Sequence, residues 1–275
     1  MDPRTQVSVV IPAYEAADFI AATLATVATQ TVLPREVFVV DDGSSYDTCA
    51  VVEAFSRDNP QLQFRLLREP HHGPGAARNA GVRAATGTWI AFLDSDDLWE
   101  PAKLERMAAA SRQAPGANFL CHNEMHRRRH GSITAVDYSK GYRADRSLLE
   151  QLFVRNRFST SAVLCRRDII LDCGGFDTTL PNAQDYELWL RMSPRLRVLF
   201  VTEVLGTYVE RAGNITSGRA WRRVLNVLRV LHRHREKVGR ITYMKTLARC
   251  LLAQGYHALR QLGKAFGAMD SKSNA

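Results

Sequence analysis

Short apolar runs alternate with helical patterns over the first 120 residues, and this alternation restricts the fold more than any other feature. Strands are predicted at 7–11, 37–40, 62–66 and 89–93, with helices between them. Because strands that alternate with helices pair in parallel, the pattern predicts a Rossmann-like, doubly wound, mostly parallel α/β sheet with helices on both faces. Ligands of such sheets bind outside the carboxyl ends of the strands.

Two of the predicted strands end in clusters of aspartates. Asp41 and Asp42 follow the second strand, and by themselves they are typical of a turn or a helix start before Gly and Ser. Asp94-Ser95-Asp96-Asp97 follows the fourth strand. Its three carboxylates repel one another unless a cation or hydrogen-bond donors compensate. We therefore expect Mg²⁺ or Mn²⁺, which take carboxylate oxygens as ligands, at this strand end.

Two other charged residues stand near predicted helix starts. Arg78 lies in the small-residue segment Gly75–Gly81, where the helix dipole disfavours a cation, so an anion or the acidic clusters should lie beside it. Asp185 opens a helical pattern that continues to Met192. It fits either a helix cap or a general base that takes a proton from an attacking hydroxyl.

Taken together, these segments resemble a family 2 glycosyltransferase with a GT-A fold. The resemblance covers about residues 5–217 and rests on five segments in order, which are Val7–Tyr14, Val39–Ser44, Gly75–Gly81, Ile90–Asp97 and Gly174–Arg191. It implies a catalytic domain over 1–218, with a nucleotide-sugar half at about 1–121 and an acceptor half at about 122–218. Residues 122–160 show no regular pattern of their own.

The resemblance also implies roles for individual residues. Those expected at the nucleotide are Pro12, Ala13, Tyr14, Glu15, Asp41, Asp42, Arg78, Asp94 and Ser95. Asp96 and Asp97 would bind the divalent metal, and Asp185 would be the catalytic base of an inverting transfer. Acceptor or phosphate contacts are expected from Gln184, Trp189 and Arg211. The chain departs from the usual family pattern at Glu15, at Gln184, and after Tyr208, where Glu210-Arg211 has no histidine.

The expected reaction is the metal-dependent transfer of a sugar from a nucleotide-sugar, preferably a UDP-sugar, to a hydroxyl of a saccharide, lipid-linked or other acceptor. Cell-surface polysaccharide or glycolipid synthesis is the expected setting. A catalytically silent binding subunit remains an alternative because of Gln184. A nucleotidyltransferase usually has a Gly-rich basic segment after its first strand, where this chain has Pro12-Ala13-Tyr14-Glu15. Nucleic acid is not expected as a partner, because acidic strand ends would repel its phosphates.

Positive charge is concentrated at the C-terminal end. Residues 219–275 hold 13 of the 37 Lys and Arg residues but two of the 28 acids, a net charge of +11, which leaves −2 for the rest. This segment is predicted to be a basic amphipathic helical extension, either on an anionic membrane or packed on the body. Five scattered cysteines, with no signal peptide and no membrane span, predict a cytoplasmic protein, with peripheral attachment to the inner membrane face as an option.

Overall fold

A computed structural model describes residues 6–211 and 220–252. The boundary predicted between 218 and 219 lies outside the described residues. The strands are β1 (Val7–Ala13), β2 (Glu36–Asp42), β3 (Phe64–Glu69), β4 (Trp89–Phe92), β5 (Leu98–Trp99), β6 (Phe119–Arg127), β7 (Ile133–Val136), β8 (Val163–Arg166) and β9 (Val198–Val209). The helices are α1 (Ile20–Ala28), α2 (Tyr46–Asp58), α3 (Pro74–Ala84), α4 (Lys103–Gln113), α5 (Leu148–Val154), α6 (Arg167–Asp172), α7 (Gln184–Met192), α8 (Ala220–Arg233) and α9 (residues 240–252).

The nine strands form one sheet in the order β3-β2-β1-β4-β8-β6-β9-β5, with β7 paired to β6. The first four strands are parallel, as predicted from the alternation. The second half is mixed, since β8 is antiparallel to both β4 and β6 while β6 and β9 are parallel. The α/β prediction is confirmed, and its parallel part is the half expected to bind the nucleotide.

Alternate residues of the parallel strands supply two separate cores. Val9 and Val39 face the layer that contains α1, while Val10 and Val40 face the layer that contains α3. A strand that is buried on both faces is mostly apolar, and in β1 the exception, Ser8, is compensated because its hydroxyl donates a hydrogen bond to Glu36 Oε1 at 2.7 Å. Gly81 allows α3 to pack closely on this sheet, because a Cβ there would stand 2.5 Å from Val10 Cγ1.

The C-terminal helices pack against the body around α7. Val230 and Leu231 of α8 are buried in the same core as Trp189, and the Tyr243 ring centroid of α9 lies 6.2 Å from that of Phe153. Arg233 forms an ion pair with Asp177. No helix in the described ranges has the length and hydropathy needed to cross a membrane. The described part of the predicted extension is therefore helical, as expected, and it packs on the rest of the chain.

Candidate active site

The acidic turn after β4 is held against α3 by an ion pair. Nη2 of Arg78 donates a hydrogen bond to Oδ1 of Asp94 at 2.6 Å, and Arg78 is buried with its guanidinium 5.5 Å from the ring centroid of Phe176. The backbone N–H of Asp94 donates to Ser161 Oγ at 3.0 Å. The Arg78 Nε has no hydrogen-bond partner among the described residues. Arg78 thus has the acidic cluster beside it, as its place near a helix start led us to expect, and its Nε remains unpaired within the described residues.

Asp96 lies in the same turn and in the field of Arg211. Burial, followed by the charge of Asp94, raises the pKa of Asp96 to about 6, and the Arg211 cation opposes that rise. The Arg211 guanidinium lies 4.6 Å from the ring centroid of Phe19. Arg211 therefore lies near enough to the acidic turn for its charge to act on Asp96, and its expected contact with a phosphate stays a prediction.

The carboxylates of Asp94 and Asp96 suit a hard divalent cation. Their oxygens are the ligands that Mg²⁺ and Mn²⁺ prefer, and a cation would relieve the repulsion from Asp94 that adds to burial in raising the Asp96 pKa. Within the described part of the chain, no three His, Cys, Asp or Glu side chains converge on a point that a metal could occupy. Water and substrate phosphates would have to complete the coordination shell.

Asp97 does not join these two residues, and its expected role as a metal ligand needs correction. Its side chain is 1% exposed, with Oδ2 accepting from Ser161 Oγ at 2.5 Å and Oδ1 accepting from the Val209 N–H at 3.0 Å. Burial, reinforced by the charge of Asp94, raises the Asp97 pKa well above its ordinary value. Asp97 thus ties the acidic turn to β9, because both of its oxygens are used inside the protein.

The two aspartates at the end of β2 have different surroundings. The carboxylate of Asp42 accepts hydrogen bonds from the backbone N–H groups of His72 and Gly73 at 2.8–3.1 Å, so it anchors the loop before α3. Asp41 Oδ2 accepts from the Ser44 N–H at 3.2 Å, whereas its buried Oδ1 has no partner in the part of the chain described. Of the two, Asp41 keeps an acceptor available for a ligand.

The carboxyl end of β1 lies beside that of β2, and it holds Pro12 and Ala13, with Tyr14 directly after them. Ala13, the last residue of β1, is in register with Asp41 on β2, and Pro12 precedes it. The Tyr14 ring is half exposed and stacks on His71 with 4.2 Å between centroids. An exposed aromatic face beside a free carboxylate oxygen is chemically suited to a nucleobase.

Glu15 and Ser95, both expected at the nucleotide, make contacts within the chain. Glu15 adopts a left-handed backbone conformation with φ 46°, and its carboxylate accepts from Ser45 N and Oγ at 3.0 and 3.1 Å. This negative charge lies at the start of α2, where the helix dipole favours it. The Ser95 carbonyl accepts from Thr23 Oγ1 at 2.8 Å. Both residues thus help to shape the loops of the site.

Asp185 faces Arg78 and Asp94 across a cleft. Burial raises its pKa, and the backbone of Tyr186 and the Arg78 charge partly oppose that rise. Ala183, just before α7, has φ 59°, a left-handed conformation that costs on the order of 1 kcal/mol in a residue other than glycine. Arg78, Asp94 and Asp185, which are far apart in the sequence, thus line one cleft.

The cleft has a volume of about 420 Å³ and is bounded by α7, by the end of α5 and by the C-terminal helices. Its apolar wall includes Phe153, Val154, Val227 and Leu231. Its polar lining includes Arg78, Asp94, Asp185, Arg155, Asn156, Thr160, Thr246 and Arg249. The last five carried no recognisable pattern in the sequence, because residues 122–160 are irregular and α9 is far from the motifs.

Gln184 and Trp189, both expected to contact acceptor or phosphate, differ in position. Gln184 lines the cleft, but its Nε2 donates to the Leu180 carbonyl at 2.5 Å and its amide packs against Gly75. Trp189 is fully buried, with its ring centroid 5.1 Å from that of Phe119. The expectation for Trp189 is therefore wrong, since the residue belongs to the hydrophobic core.

Known proteins resemble both the sequence and the fold. The sequence model of Glycosyl transferase family 2 matches residues 8–172. The amylovoran biosynthesis glycosyltransferase AmsB of Erwinia amylovora is 30% identical over 222 residues, which cover 78% of this chain and 73% of that protein. The Escherichia coli chondroitin synthase is 28% identical over 68% of this chain, but the chain spans only 26% of its length.

Solved structures show the same fold at low sequence identity. Residues 1–349 of S. aureus TarS superpose with a TM-score of 0.66 and 20% identity, covering 89% of this chain and 70% of that one. The mannosyltransferase PcManGT from Pyrobaculum calidifontis, solved with GDP-Man and Mn²⁺, gives a TM-score of 0.63 and 22% identity, covering 96% and 80%. The expected GT-A architecture is thereby confirmed.

Proposed function

This chain belongs to Glycosyl transferase family 2, and on that basis we propose that it transfers a sugar, with inversion, from a UDP-sugar to an acceptor hydroxyl. The observation that carries the proposal is the meeting of Arg78, Asp94 and Asp185 at one cleft. A cation, a carboxylate for a metal and a half-buried carboxylate for a proton are the groups that a single displacement at a nucleotide-sugar requires.

The donor would bind at the ends of β1 and β2. Asp41 Oδ1 is a buried acceptor with no partner in the described residues, and Tyr14 exposes its ring nearby. A nucleobase offers an N–H group for the first and a flat face for the second. TarS has also been solved with UDP-GlcNAc, which supports a nucleotide-sugar as the donor of this chain. The panel of donors described below identifies the nucleobase.

Asp94 and Asp96 would hold Mn²⁺ or Mg²⁺, which when bound offsets the charge of a diphosphate. The guanidinium groups of Arg78 and Arg211 lie at the same turn. As the bond between the anomeric carbon and the diphosphate breaks, negative charge accumulates on the leaving group. Fixed cations near this region would lower the barrier because they need little reorganisation.

Asp185 would act as the general base. The acceptor oxygen attacks the anomeric carbon from the face opposite the diphosphate, and its proton passes to the Asp185 carboxylate. Burial raises the pKa of this carboxyl above its ordinary value and so makes it a stronger proton acceptor once ionised. Asn156 lines the same cleft as Asp185.

The test is Asp185→Asn assayed with a panel of UDP-, GDP- and dTDP-sugars. We expect transfer to fall by about a thousandfold or more, while calorimetric affinity for the nucleotide changes little. Asp172→Asn is the matched control, since Asp172 is an exposed aspartate paired with Arg195. Turnover at the wild-type rate by Asp185→Asn would exclude the residue as the base.

The same panel separates the alternatives. A silent binding subunit would bind a nucleotide-sugar without transfer or hydrolysis, and a nucleotidyltransferase would release pyrophosphate from a nucleoside triphosphate. We favour transfer because the cleft pairs a base with cations. We further propose that the enzyme works in the cytoplasm in cell-envelope polysaccharide or glycolipid synthesis, the setting named for the relative AmsB being a polysaccharide.

A further inference from the structure

The outward face of α9 is apolar, which is the reverse of an ordinary surface helix. Tyr243 and Thr246 face the body, whereas Ile241, Met244, Leu251 and Leu252 are 71, 55, 53 and 74% exposed. At about 100° per residue these four side chains fall on one stripe along the solvent side. A helix that merely covers a body would present polar residues there.

Basic residues flank this stripe on both sides. Arg240 lies at one edge of it, and Lys245 lies at the other edge. Neither α8 nor α9 contains an acidic residue. An apolar stripe between basic side chains is typical of helices that lie in the interface of an anionic membrane.

The opposite side of the same helix lines the cleft. Thr246, Arg249 and Cys250 border it next to the apolar Phe153 and Val154. The Thr246 hydroxyl is buried there and has no hydrogen-bond partner among the described residues. One helix therefore joins the exposed apolar stripe to the place where an acceptor must reach the base.

We propose that α9 lies on an anionic membrane through the stripe of Ile241, Met244, Leu251 and Leu252, and that the cleft takes an acceptor sugar anchored to a lipid in that membrane. The membrane contact is independent of the reaction, whereas the acceptor class rests on the proposed function. A second copy is disfavoured, because a twofold contact through this stripe would bring the basic flanks of both copies together.

Vesicle co-sedimentation tests the surface. The full chain should sediment with vesicles of phosphatidylcholine and phosphatidylglycerol, and far less with phosphatidylcholine alone. Ile241→Ser/Met244→Ser/Leu251→Ser should weaken partitioning about tenfold or more. Ile133→Ser, at an exposed isoleucine on β7, is the matched control and should bind as the wild type does. Arg240→Gln/Lys245→Gln should weaken binding most at low salt.

Three results would overturn the membrane contact. The first is a wild-type chain that stays in the supernatant, and the second is a triple variant that still binds vesicles. The third is a triple variant whose only change is its oligomeric state in sedimentation velocity, because this would assign the stripe to a second copy. Calorimetric UDP affinity is measured on each protein independently of vesicle binding. It shows whether the protein is correctly folded and its donor site is intact. A chain that sediments but binds no nucleotide-sugar supports the membrane contact and counts against the proposed function.

The acceptor class has its own test. With the donor found in the panel, the wild type should glycosylate a sugar linked to a polyprenyl phosphate in vesicles about tenfold faster than the triple variant does, because only the wild type is held at the surface. Donor hydrolysis should be equal in the two proteins. Equal transfer by both proteins, or transfer only to water-soluble glycosides, would overturn the lipid-linked acceptor.

Discussion

Replacing Asp96 by Asn is expected to stabilise the metal-free protein at neutral pH. Burial and the Asp94 charge raise the pKa of Asp96 from its ordinary 3.8 to about 6. Between pH 3.8 and about pH 6 the Asp96 carboxyl keeps its proton in the folded chain but has lost it in the unfolded chain. Stability therefore declines as the pH rises through this window, and the full cost of ionising Asp96 remains above it.

The size of the effect follows from the shift. About two pKa units at about 1.4 kcal/mol each correspond to about 3 kcal/mol. The Asp96 side chain is half-buried, so solvent screens part of this cost, and we expect about 1–2 kcal/mol. The neutral amide of Asn avoids the cost because it carries no charge to bury or repel.

Urea unfolding in EDTA measures the difference directly. Asp96→Asn should be more stable than the wild type at about pH 7.5, and the advantage should shrink as the pH falls toward about 5. Adding Mn²⁺ should stabilise the wild type more than the variant, because a ligand of the folded state raises stability by mass action. A variant that is less stable than the wild type in EDTA, or equally affected at both pH values, would refute the electrostatic reasoning.

Two further substitutions test packing and charge. Gly81→Ala should lower the free energy of unfolding by about 1–2 kcal/mol, because the new Cβ would lie 2.5 Å from Val10 Cγ1. Gly116→Ala is the control in the same urea assay. It should be neutral or slightly stabilising, because no atom lies within 4 Å of the new Cβ. Arg211→Gln should weaken calorimetric UDP affinity about tenfold or more and raise the Asp96 pKa further, because a cation facing the acidic turn is lost. Unchanged affinity would remove Arg211 from the diphosphate site.

Sequence patterns predicted the site where local rules apply. Asp41 and Asp94 follow buried apolar strands, and the topology of a parallel sheet alone places both at one edge. By contrast, β6 escaped prediction, because buried His122 and Glu124 interrupt its apolar pattern. Glu124 is compensated by the Tyr138 hydroxyl, which donates to its Oε2 at 2.7 Å, and no local rule announces such a long-range partner.

The amino-acid sequence by itself determined the alternation of strands and helices, the acidic strand ends and the basic C-terminal segment, because each depends on neighbours in the chain. Only the tertiary structure decided which partner each carboxylate has. Both carboxylate oxygens of Asp97 accept hydrogen bonds, from Ser161 and Val209, whereas Asp94 forms an ion pair with Arg78. It also decided that the C-terminal helices form a wall of the cleft. Those outcomes depend on partners far apart in sequence, whose meeting is set by how the sheet and helices pack and by the cost of burying an uncompensated charge.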